Sequence, residues 1–174
     1  MVDLLRSGRR APQEGARPGS VPWRRGCSVP SLAPLRARVI AARPRDHVFE
    51  TFVHWTSAWW PVDGQCARPE RVAEVRWDPW VGGQLAEVWH DGSEHPFATV
   101  LRWRPPHEIG LVWRVRPGVE LTDVTVRFAE ASWVSAWVSV EHTGWAGLGA
   151  DGSALRTEYR ERWADVLGAL LWAL

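Results

Sequence analysis

Of the six histidines in the 174-residue chain, His142 holds the position best suited to chemistry. It closes the alternating run WVSAWVSVEH, in which Val134, Ala136, Val138, Val140 and His142 share one face of a strand. It is therefore the one ionisable group expected to point inward. An imidazole so placed serves as a ligand anchor or a general base, with Tyr159 as its acid–base partner, or as a core histidine held by a backbone carbonyl. The last use is the ordinary one. His90, Asp91 and His95 have metal-donor chemistry, but they flank an Asp91-Gly92 hairpin signal and read as a hydrated turn. Gly82-Gly83 reads as a tight turn or bulge at a strand entrance. The chain lacks a G-x-S-x-G elbow, a Gly-rich phosphate loop with lysine and a helical H-E-x-x-H. No catalytic residue, metal or cofactor is expected.

Composition narrows the class. Every one of the 21 basic residues is arginine, and a formal net charge of +1 gives no overall pull toward nucleic acid or an anionic membrane. Fourteen tryptophans stand against one tyrosine and four phenylalanines. Tryptophan buries a large area but needs a partner for its N–H when enclosed, so this excess predicts a roomy aromatic interior or rings left at the surface. Cys27 and Cys66 form neither a disulfide framework nor a zinc pattern. The opening MVDLLRSGRRAPQEG has no apolar signal core, and no stretch is apolar enough for a membrane span, so a reduced, cytoplasmic setting is expected.

Residues 1–34, rich in Arg, Pro, Gly and Ser, are expected to form a disordered basic tail, and residues 35–174 a single domain. LRARVIAA reads as a strand, and RDHVFETFV after Pro44 as a short helix burying Val48, Phe49, Phe52 and Val53. HWTSAWWPVDG reads as a second short helix or turn. Six strands follow in RVAEVRW, GGQLAEVWH, PFATVLRW, EIGLVWRV, TDVTVRF and WVSAWVSVEH, joined by short connections that imply an antiparallel meander. From Ser153 onward, with Asp151 or Ser153 as N-cap, the spacing is helical. Leu155, Tyr159, Trp163, Val166, Leu167, Leu170 and Leu174 fall on one face, while Glu158, Glu161 and Asp165 form a solvated side. The fold class is α+β. A curved antiparallel sheet of about seven strands wraps a long C-terminal helix, with two short helices after the first strand.

This order resembles the START-like (SRPBCC) helix-grip arrangement, and within it the branch related to the C-terminal domain of the activator of heat-shock-protein-90 ATPase. The segments that carry the resemblance are ARPRDHVFETFVHWTSAWWP, WDPWVGGQLAEVWHDGSEH, LRWRPPHEIGLVWRV, TDVTVRF, VSVEHTGW and YRERWADVLGALL, spread over residues 35–174. Trp133 and Trp137 depart from the family pattern, which has small, polar or basic residues there, and residues 1–34 have no counterpart.

Sheet and helix together imply a cavity for a small apolar or amphipathic ligand. Its expected lining is Trp55, Trp59 and Trp60 from the helical segment, Trp77, Trp113, Phe128 and His142 from strands, and Tyr159 and Trp163 from the last helix. The resemblance implies two alternatives: a co-chaperone or protein-interaction module, and a cyclase- or hydrolase-like enzyme using His142. By parity Trp133 and Trp137 belong on the outer face with Arg114 and Arg127, either as a partner or self-association surface or stacked under arginine. Trp172 falls on the polar side of its helix. No nucleic-acid partner is expected.

Overall fold

A computed structural model describes residues 32–66, 68–116 and 121–174. The expected tail thus lies outside the described residues except for 32–34. Those three are tied to the body: Arg156 donates to the carbonyls of Ala33 (2.6 Å) and Pro34 (3.2 Å), and Leu32 packs on the core.

The chain runs β1 (Leu35–Ala41), α1 (Arg45–His54), α2 (Thr56–Trp59) and a short turn α3 (Val62–Gln65) broken at Asp63 and Gly64. Then come β2 (Val72–Trp77), β3 (Gln84–Trp89), β4 (Glu94–Arg104), β5 (Glu108–Arg114), β6 (Leu121–Ser132) and β7 (Ser135–Thr143). A 3-10 segment, Trp145–Asp151, leads directly into α4 (Gly152–Ala173), so Asp151 makes no side-chain cap bond. The seven strands form one antiparallel sheet in the order β1-β7-β6-β5-β4-β3-β2. Only β1 breaks sequence order, pairing with β7 from Leu35 opposite His142 to Ala41 opposite Ala136.

Alternation explains the layers. Along β7 every second residue from Ala136 to His142 is buried, and along β6 Thr122, Val124, Val126 and Phe128 are buried. This face receives α4 through Leu155, Tyr159, Trp163, Val166, Leu167 and Leu170, as the helical spacing predicts. Val48, Phe49, Phe52 and Val53 of α1 cover the same face, with Phe49 and Phe52 edge-on to Phe128 at 5.2 and 5.3 Å. Trp133 does not lie within a strand: Trp133 and Val134 form the turn between β6 and β7, and Trp133 is 87% exposed.

Candidate functional site

The aromatic residues of the concave face divide into two groups. Toward one side they fill the hollow. Trp59 donates its N–H to the Thr51 carbonyl (2.9 Å) and lies 5.4 Å from Phe52, which lies 5.9 Å from Trp77. Trp59, Trp77, Phe128 and Trp163 are thereby core residues, outside the cavity lining. Trp55 is not inside at all. It ends α1, its neighbour Thr56 takes the inward position by bonding the carbonyls of Phe52 and Val53, and its ring is 66% exposed.

On the other side the rings leave room. A cavity of about 520 Å³ opens between α2–α3, the β3–β5 part of the sheet and α4. Its apolar walls are Trp60, Phe97, Trp113 and Tyr159, with Phe97 5.7 Å from Trp60 and edge-on to Trp113 at 5.3 Å. Of the expected ligand-contacting residues, the fold brings Trp60, Trp113 and Tyr159 to this space. Tyr159 is fixed by two bonds: its hydroxyl accepts from Trp113 Nε1 and donates to the Val115 carbonyl, both at 3.2 Å. Desolvation raises its pKa, so it stays a neutral phenol.

His142 lies behind this wall, fully buried. Trp163 Nε1 donates to its Nδ1 at 3.1 Å, and Thr122 Oγ1 lies 2.7 Å from its Nε2. Since indole N–H only donates, Nδ1 carries no proton and Nε2 does. Nε2–H therefore donates to Thr122, whose hydroxyl donates to the Trp113 carbonyl at 3.2 Å. Burial pushes the imidazole down to about 3. With both nitrogens occupied and no surface in the cavity, His142 has no lone pair to offer as a base, and its geometry matches a core histidine.

Sequence reasoning missed the polar part of the lining. Glu87 opposes His95 in the β3–β4 register, both line the cavity, and Glu87 is only 8% exposed. Its Oε2 accepts from Trp89 Nε1 at 3.2 Å. The Cys66 thiol lies beside this carboxylate, and burial, with the neighbouring negative charge, pushes its pKa well up. Trp60 Nε1 is buried without a partner of good hydrogen-bond geometry among the described residues; Cys66 is the polar group next to it. At the mouth stand Arg68, Arg114, Arg116 and Arg162. Arg114, expected on the outer face, is the last residue of β5, where pairing to β4 has ended at Trp113 while pairing to β6 continues, and it reaches the rim together with Arg116. The Leu85-Glu87-Trp89 alternation is the signal that would have found Glu87.

Outside the cavity, Arg38 caps Trp137 with its guanidinium carbon 3.6 Å from the ring centroid, so stacking under arginine accounts for that residue, through Arg38 of β1 and not Arg114 or Arg127. His90, Asp91 and His95 make no metal cluster among the described residues; Ser93 instead bonds both Asp91 and His95. Among the described residues no helix is long and apolar enough to cross a membrane.

No family model and no curated relative matches the chain. Solved structures do. CalC of Micromonospora echinospora, described as a self-sacrificing resistance protein, is 23% identical with a TM-score of 0.58, over 79% of this chain and 91% of that one. Txn09, an anthrahydroquino-γ-pyrone synthase, is 23% identical with a TM-score of 0.52, over 79% and 88%. An HSP90 activator from Plasmodium falciparum superposes more loosely, at 17% identity and a TM-score of 0.45, over 63% and 71%. At these identities the likeness speaks for architecture alone, and the architecture is a helix grip, one curved antiparallel sheet around a long C-terminal helix.

Proposed function

We propose that the domain is a binding protein that holds a small, planar, apolar or amphipathic molecule in the cavity between the sheet and α4. The observation that carries this is the volume of about 520 Å³ left beside Trp60, Phe97, Trp113 and Tyr159, a size suited to a small organic ligand and a lining suited to an aromatic one. The fold alone does not choose the role, since a resistance protein and a synthase share it. The site favours binding over catalysis because His142 is engaged on both nitrogens and faces away from the space. An interaction-module role would rest on the outer tryptophans, and Trp137 is already covered by Arg38.

The test is a titration with the neutral fluorophore N-phenyl-1-naphthylamine. The protein should give saturable fluorescence enhancement, and Cys66→Phe, which places a ring in the space, should lower affinity at least about ten-fold, or about 1.4 kcal/mol. No enhancement by the folded protein, or equal enhancement by Cys66→Phe, rejects the cavity as a binding site.

A further inference from the structure

The polarity of the cavity is ordered from inside to outside, and this ordering constrains what it holds. Deep in the lining, Glu87 is a buried carboxylate whose Oε2 accepts from Trp89 Nε1, while Oε1 has no N–H or O–H donor among the described residues. A carboxylate has about four acceptor positions, so Oε1 offers open ones to a hydroxyl or N–H that enters the cavity. His95, its cross-strand neighbour, does not fill that role: its ring stacks on Trp89 at 3.5 Å and its Nε2 meets Ser93 Oγ at 3.0 Å. The Cys66 thiol beside Glu87 is only a weak donor.

The rim has the opposite sign. Glu158 is shared by Arg162 (2.8 Å) and Arg116 (3.6 Å). Among the described residues Arg68 and Arg114 pair with no carboxylate; Arg114 spends one N–H on the Pro96 carbonyl at 2.8 Å, and Arg68 sits 5.9 Å from the Trp89 ring centroid. Guanidinium groups beside a partly enclosed space bind carboxylates with charge-assisted, often bidentate bonds.

We infer that the ligand is a hydroxylated aromatic acid, bound with its hydroxyl inward to Glu87, its rings between Trp60, Phe97 and Trp113, and its anionic group outward at Arg68 and Arg114. This rests on the cavity being a binding site and adds the chemistry and direction of its occupant. The reverse orientation would set an anion against a buried carboxylate, and a neutral hydrocarbon would leave both polar ends unanswered.

Four probes separate the terms in calorimetric or fluorescence titration of the full chain: 6-hydroxy-2-naphthoate, 2-naphthoate, 2-naphthol and 2-methylnaphthalene. The hydroxy acid should bind tightest, with a loss of about ten-fold on removing either the carboxylate or the hydroxyl. Its advantage over 2-naphthol should shrink with added salt and vanish in Arg68→Gln/Arg114→Gln. It should persist in Arg104→Gln, which removes one positive charge from the far end of β4. Glu87→Leu should erase the advantage over 2-naphthoate. Equal saturable binding of all four probes to the unaltered protein overturns the inference and leaves the cavity reading standing. Failure of every probe, 2-methylnaphthalene included, rejects the cavity reading itself.

Discussion

A histidine whose ring nitrogens both serve neighbours is held by those neighbours as much as it holds them. Removing the imidazole of His142 strands the Trp163 N–H in a buried layer, at a cost of about 1–3 kcal/mol, and takes one incoming bond from the Thr122 hydroxyl, which keeps its bond to the Trp113 carbonyl. His142→Leu should therefore lower stability by about 2–4 kcal/mol, whereas His142→Gln, able to accept from Trp163 and donate to Thr122, should lose about half as much. Urea denaturation measures both. Binding of N-phenyl-1-naphthylamine should stay within about two-fold in His142→Gln, because the residue does not reach the cavity. A folded His142→Gln protein that no longer binds would return His142 to the site. At this scale the sequence was legible in part. The parity that sends His142 inward also sends Glu87 inward, but a charged residue in a strand is ordinarily read as solvent-facing. Alternation gives the direction of Glu87, whereas the cavity that lets a carboxylate sit there is not revealed by it.

Elements were more legible than their joints. The core stripes of α1 and α4 and the alternation of β6 and β7 agree with the burial found, because each is a periodic signal tied to one buried face. Trp55 and Trp133 were misplaced because both sit where periodicity stops, one at the break between α1 and α2 and one on a hairpin turn. The β2–β3 joint shows how local such constraints are. Gly83 donates to the Trp80 carbonyl and accepts from Val100 N, and an added Cβ would overlap the Asp78 carbonyl oxygen. Gly82, at φ +90°, has open space where its Cβ would be. Gly83→Ala must therefore push backbone apart, and should cost more than about 2 kcal/mol. Gly82→Ala pays for the left-handed backbone alone, about 1 kcal/mol. Thermal unfolding ranks the two, and a Gly82→Ala protein less stable than Gly83→Ala would show that conformation outweighs close approach there.

For the molecule as a whole, the buried imidazole couples folding to pH. In the unfolded chain His142 titrates near its ordinary 6.5, and in the folded protein at about 3. Between those values the unfolded state binds a proton that the folded state refuses, so stability falls as pH falls through this window and levels off below it. The slope is about 1.4 kcal/mol per pH unit, a loss of about 2–3 kcal/mol from about pH 6 to about pH 4. Surface carboxylates add acid sensitivity of their own, as at Glu141, whose pKa is lowered chiefly by its hydrogen bond from Arg36 and which is protonated only as pH falls further. Those groups are common to the protein and to His142→Gln, so subtracting the two stability curves isolates the imidazole. The advantage of the histidine form should shrink steadily as pH drops from about 6 and reverse by about pH 4, since only that form excludes a proton that its unfolded chain binds. Parallel curves would mean that His142 is protonated in the folded protein, and with it that the Trp163-His142-Thr122 chain does not hold the neutral ring in place.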